Sequence, residues 1–150
     1  MAFFGRLVAA RRDESELGKG LWRRAHDRFR RGLDRFHQML EGITDQELRQ
    51  DLIPVANQLA DLLPVVREIC TSAQRLSPSE GLDIPRGLFT EIHRELTRAG
   101  TALATAAEAV AMVRLMDQNP SPDAVIRRAG QVSEHIDSAK KLSLLTESNC

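Results

Sequence analysis

The sequence predicts an all-α protein: an antiparallel four-helix bundle, up-down-up-down, with a short amphipathic arm at its N-terminus and a proline-kinked second helix. Three observations carry this. Apolar residues recur at spacings of three and four along most of the 150 residues, the period of a helix with one buried face. Tyrosine is absent and aromatics make up only 4% of the chain, which argues against a β-sandwich. The stretches that interrupt the periodicity are short and built from Gly, Pro, Ser and Asp, and short connections force neighbouring helices antiparallel.

Residues 1–12, MAFFGRLVAARR, form the arm. Phe3, Phe4, Leu7 and Val8 can share one helical face, with Arg6, Arg11 and Arg12 elsewhere on the same turns. Such a face suits an anionic membrane surface or a groove on a partner protein. It can also fold back to cap its own bundle. Arg6 interrupts the apolar run and Arg11-Arg12-Asp13-Glu14 stands where a cleavage site would be, so no secretory signal is expected.

Residues 13–150 are expected to be one helical domain, a length that suffices for a sizeable single core. Its first helix covers 14–41, with Leu17, Leu21, Ala25, Phe29, Leu33, Phe36 and Leu40 inward, then Ile43. Trp22 is expected at the edge of this stripe. Gly18 and Gly20 flank Lys19 near the helix start and read as a hinge or a loosened first turn. The outer side is basic, with Arg23, Arg24, Arg28, Arg30, Arg31 and Arg35. His26 and His37 lie among these arginines and are expected at the surface.

The second helix spans 45–76. Thr44 and Glu47 have the spacing of a capping box, which satisfies two orphan N–H groups reciprocally. Pro54 and Pro64 each remove one intrahelical hydrogen bond, yet the apolar period continues through both, so kinks are expected rather than separate helices. Ser77-Pro78-Ser79-Glu80-Gly81 is a loop by composition. The third helix, 85–118, opens at Asp83 and Pro85 and carries four unbroken heptads: Phe89, Ile92, Leu96, Ala99, Leu103, Ala106, Val110, Val113. Seven of the residues from Ala99 to Ala111 are alanine, which lets neighbours approach closely. Ser121-Pro122-Asp123 caps a fourth helix over 122–142 with Val125, Ala129, Val132, Ile136 and Ala139 inward. At about 30 Å it is shorter than its neighbours, leaving one end of the bundle less covered, which the SLLTESNC tail could patch with Leu144 and Leu145 or leave open by staying loose.

Charge is where function shows first. The net formal charge is zero. Residues 1–40 nevertheless hold ten basic and five acidic side chains, and the other 110 hold eleven and sixteen. The molecule is therefore polarised, +5 against −5. No run of 18 apolar residues suggests a membrane span. Cys70 and Cys150 form neither a disulfide framework nor a zinc spacing, and a reducing cytosol fits them best.

Catalytic patterns are scarce. Glu-x-x-His, the di-iron signature of bundles, does not occur. Neither do a Gly-x-Ser-x-Gly turn, a phosphate loop or a dinucleotide-binding glycine pattern. No metal or cofactor is expected. The sequence thus predicts a non-enzymatic interaction or scaffold module, cytoplasmic and able to sit at a membrane. Its contact surface comprises Phe3, Phe4, Arg6, Leu7, Arg11 and Arg12 with Arg23, Arg24, Arg28, Arg30, Arg31 and Arg35. The partner would be an acidic protein surface or an anionic membrane, and the polarised charge also allows self-association. Two alternatives are kept. His93, on the third helix and near Glu95, could serve histidine phosphotransfer, although Arg94 follows it directly. The arginines could instead contact nucleic-acid phosphates, against which Asp27 and Asp34 sit among them.

Overall fold

The computed structural model describes residues 2–81, 83, 85–116 and 118–149, the side chains of Ala2 and Phe3 excepted. Among these residues every regular element is a helix: α1 (Ala2–Leu17), α2 (Leu21–Glu41), α3 (Gln46–Leu76), α4 (Leu88–Arg114) and α5 (Asp123–Ser148). There are five, not four, because the helix predicted over 14–41 is divided. The arm does not end at residue 12 but continues as α1 to Leu17. Gly18 ends it at φ +73, a left-handed conformation that side chains disfavour, and its N–H donates to Glu14 O at 3.1 Å. Gly20 then lies so close to the 77–81 loop that a Cβ would come within 2.3 Å of Ser79 O. Ser79 in turn caps α2 from a distance, its Oγ accepting from Leu21 N–H at 3.1 Å. The apolar spacing from Leu17 to Leu21 continues across this break, so periodicity alone runs through it.

The other helix ends depart from expectation for local reasons. Asp45, not Thr44, caps α3, because its carboxylate accepts from Leu48 N–H at 2.9 Å. α3 is continuous from Gln46 to Leu76 with Pro54 and Pro64 inside it. α4 starts at Leu88 rather than Pro85. Gly87 at φ +62 separates the proline from the helix, and Thr90 Oγ1 donates to the Pro85 carbonyl just before it. α5 runs six residues beyond the predicted 142. The tail is therefore helical, with Ser143 and Thr146 buried and Leu144 and Leu145 exposed. α5 has 26 residues against 27 in α4, so the expected short fourth helix and poorly covered end do not arise.

Each of α2–α5 packs chiefly on two others. α2 meets α3 and α4, and α5 meets the same pair, while α1 lies outside on α3 and α2. The core follows the stripes the spacing predicts: Phe29, Leu33, Phe36, Leu40 and Ile43 share one buried cluster with Ile92, Leu103, Val110 and Val113 of α4 and Val125, Val132 and Ile136 of α5. Two residues of α2 are deeper than expected. Trp22 is 0% exposed rather than at an edge, and His26 is 2% exposed rather than at the surface. They continue the stripe of Phe29, Leu33, Phe36 and Leu40 at spacings of four and three, whereas Leu21 and Ala25, expected inward, are half-buried beside it. No described helix is long and apolar enough to cross a membrane.

Candidate functional site

α1 is two things along its length. Every side chain from Phe4 to Arg12 is exposed, whereas Asp13 and Leu17 are buried and Glu16 is half-buried. The outward half displays three large apolar side chains to solvent: Phe4 at 69%, Leu7 at 44% and Val8 at 61%. In a continuous helix Phe4, Leu7 and Arg11 fall on one stripe, so Arg11 stands a turn beyond Leu7 rather than on a separate face. An open groove of about 460 Å³ runs beneath it, lined by Phe4, Val8, Ala9, Arg12 and Asp13 of α1 and Arg67 of α3.

The inner end of α1 is seated by charge. Arg67 reaches from α3 with Nη1 2.7 Å from Asp13 Oδ1, and with Nη2 and Nε at 2.9 and 3.2 Å from Glu16 Oε2. Arg12 donates to the other oxygen of Glu16 at 3.0 Å. Asp13 Oδ2 lies 3.9 Å from both Arg23 Nη2 and Arg30 Nη1. These in turn meet Asp27, at 2.9 Å from Arg23 Nε and 3.9 Å from Arg30 Nη2. His26 Nδ1, 3.0 Å from Asp27 Oδ1, closes the chain of contacts; a carboxylate only accepts, so Nδ1 carries the proton. One network thus joins three helices.

The titration behaviour follows from these partners. Hydrogen bonds from Arg12 and then Arg67 hold Glu16 below the ordinary glutamate value. Burial pushes Asp27 up, but the bonds from His26 and Arg23 outweigh it, and its pKa ends lowered. Burial likewise pulls Arg67 down, and Asp13 and Glu16 more than restore it. All three stay charged at neutral pH, as a seat of fixed ions requires.

The arginines predicted as a basic face therefore divide. Arg23 and Arg30 are turned to Asp13 and Asp27. Arg28 lies across Gly100 of α4 and donates to Thr101 Oγ1 at 3.2 Å. Arg24 approaches the Gly81 carbonyl at 3.4 Å, and Arg12 is tied to Glu16. Arg6, Arg11, Arg31 and Arg35 are exposed and form no ion pair with a described residue. The side chain of Phe3 lies outside the described residues, as does Cys150.

His93 is half-buried, with its ring edge-on to the Trp22 indole at 5.9 Å; burial lowers its pKa. Cys70 sits near His26 and Asp27, a set with the composition of a nucleophile and its base. Its thiol is fully buried, and burial followed by the Asp27 charge pushes it up to about 12, far from the thiolate that such chemistry uses. Among the described residues no group of His, Cys, Asp and Glu is arranged to hold a metal ion.

Sequence reasoning missed Asp13, Glu16 and Arg67. A signal was present, since Arg67 is the only basic residue between Arg49 and Arg75. It also missed a groove of about 690 Å³ between α4 and α5, lined by Met112, Val113, Met116, Ala124 and Asp123, with Leu115 81% exposed beside it. Comparison with protein-family models, with curated proteins and with solved structures finds no match.

Proposed function

We propose that the protein is a non-enzymatic helical interaction module, in which α2–α5 are the scaffold and the outward half of α1 is the contact element. The scaffold is read as an antiparallel up-down-up-down bundle with α3 bent at Pro54 and Pro64, in keeping with connections confined to 42–45, 77–87 and 115–122 and with the missing hydrogen bonds that prolines leave. The observation that carries the functional reading is the asymmetry of α1. One end is ion-paired to the scaffold, while Phe4, Leu7 and Val8 stand uncovered beside Arg6 and Arg11.

The partner that fits is a protein with an apolar groove and an acidic rim. Aromatic and arginine side chains on one helical stripe are the composition of interface anchors, and an amphipathic helix laid in a groove is a recurrent way to use them. Arg31 and Arg35, exposed on α2, would extend the basic surface. Photo-crosslinking tests this. A benzophenone amino acid at Phe4 or Leu7 should yield a discrete heavier species in cells that express the protein, and the same group at exposed Asp137 should not. Equal labelling at all three positions, or none at any, removes the reading.

An anionic membrane is the second reading, favoured by Arg6, Arg11 and Arg12 around the same apolar side chains. Arg11 beside Leu7 counts against deep insertion, because a guanidinium must snorkel to stay hydrated. Co-sedimentation with vesicles of mixed phosphatidylserine and phosphatidylcholine, with and without residues 1–12, separates the two: equal weak binding of both forms excludes the membrane. Sedimentation velocity at low and high salt tests self-association, since an electrostatic oligomer dissociates as screening rises.

A further inference from the structure

The ion network and the glycines beside it assign α1 more than one position. We propose that α1 is an ionically latched arm: Arg67 holds it on α3, and it detaches as a unit about Gly18–Lys19 while α2–α5 remain folded. The inference stands whether or not α1 is the contact helix.

The joint is asymmetric in a way that defines the moving part. On the α2 side Gly20 is pressed against the Ser79 backbone, Ser79 Oγ accepts from Leu21 N–H, and Trp22 Nε1 donates to Ser77 O at 2.9 Å. That side is anchored. On the α1 side the atoms nearest Gly18 belong to the Gln74 side chain, whose amide is itself hydrogen-bonded to Ser79 and Glu80 on the anchored side. α1 closes its own last turn at Gly18, so detachment leaves its helix intact.

What keeps α1 down is concentrated in few groups. Residues 4–12 bury no side chain, and among the described residues of α1 Leu17 is the one large apolar side chain that is fully enclosed. The rest of the seat is charge: Arg12, Asp13 and Glu16 from α1, Arg23, Asp27 and Arg30 from α2, Arg67 from α3. Asp13 is the pivot of this set because it is buried and takes its closest contact, 2.7 Å, from Arg67. A buried carboxylate that loses such a partner demands water. Asp13 can reach it by leaving with α1, which withdraws Leu17 from the edge of the core cluster. Detachment also uncovers Arg67 and the α3 surface around it, which makes the latch a means of exposing a second surface.

Segment-resolved hydrogen exchange of the full chain tests this with Arg67→Met, which keeps the stem and removes the charge. Amides of residues 5–17 should exchange at least tenfold faster, with those in the middle of α2, α4 and α5 unchanged. Glu16→Gln, which leaves the Arg67–Asp13 pair, should give only a few-fold rise. A pair of spin labels at Ala10 and Asn57 should show a broader, longer distance distribution in R67M than in the parent. Unchanged exchange and distances in R67M overturn the proposal. So does a parallel loss of protection in α2–α5, or a chain that fails to fold, since either means that α1 is not a separable part.

Discussion

Replacing Trp22 by phenylalanine measures how deep the first turn of α2 really lies. A tryptophan at the edge of a stripe would lose little. The structure encloses the indole completely, sets it edge-on to Phe89 at 6.3 Å and to His93 at 5.9 Å, and ties Nε1 to the Ser77 carbonyl at 2.9 Å. Phenylalanine retains one ring, so the lost apolar burial is about 1 kcal/mol. The Ser77 carbonyl is orphaned at the C-cap of α3, where an unmade hydrogen bond costs about 1–2 kcal/mol. The sum, about 2–3 kcal/mol, is close to the lower end of a full truncation to alanine, about 3–5 kcal/mol. For a chain of this size it corresponds to a fall in Tm of roughly 5–10 °C. Urea denaturation followed by circular dichroism at 222 nm reads it, since the substitution removes the only tryptophan. The slope m should be unchanged and the midpoint lowered. A loss under about 1 kcal/mol would refute the enclosed site and return Trp22 to the edge.

Four further outcomes are expected. Asp27 and Glu16 have lowered pKa values, so the stability they contribute is complete above their ordinary values of 3.8 and 4.5 and is lost as pH falls through the folded values; they should add a steeper drop in the unfolding midpoint below about pH 4, shallower in Asp27→Asn. His93 is a base whose pKa burial lowers from 6.5, so its contribution is complete above that value and declines on acidification; His93→Gln should flatten the slope between about pH 7 and 5. In a Cys150→Ser background, Cys70, with its thiol at about 12, should resist a disulfide reagent at pH 8 until urea unfolds the chain, and fast native labelling would contradict its burial. Gly20→Ala should cost about 1–3 kcal/mol, because the Cβ meets the Ser79 backbone, whereas Gly130→Ala, in the open on α5, should stabilise by about 0.5–1 kcal/mol; comparable shifts of one sign would show that the close approach at Ser79 is not real.

The buried stripes were legible because helical burial repeats at spacings of three and four, and Phe29 to Ile43, Ile92 to Val113 and Val125 to Ala139 follow it without interruption. The break at Gly18–Gly20 was not, for the same reason: Leu17 and Leu21 keep the spacing across it, so the pattern hides a change of helix. The two glycines did mark the place. His26 illustrates a different limit. It lies among arginines, which suggested solvent, yet its spacing from Trp22 and Phe29 puts it on the buried stripe, and Arg23 and Arg30 turn to carboxylates beside it. Composition tells which side chains a helix carries, and only the position of α1 tells which of them find partners.

That position also changes what the charge split means. Counted along the chain, the first 40 residues carry +5, a figure that treats each arginine as available to a partner. In the folded protein Arg67 comes from the acidic remainder to satisfy Asp13 and Glu16, and Arg23 and Arg30 contribute to the same seat. The network exchanges charge between the two halves, so the basic side chains of the first 40 residues left exposed without a carboxylate partner among the described residues are Arg6, Arg11 and Lys19 and, on α2, Arg24, Arg28, Arg31 and Arg35, of which Arg24 and Arg28 are tied to neutral groups. Substituting Arg31 and Arg35 by glutamine should therefore weaken a salt-dependent contact without touching stability. Substituting Arg23 and Arg30 should do the reverse, lowering the unfolding midpoint by destabilising Asp13 and Asp27. If the two pairs behaved alike in both assays, the division of the basic face into structural and exposed arginines would be wrong.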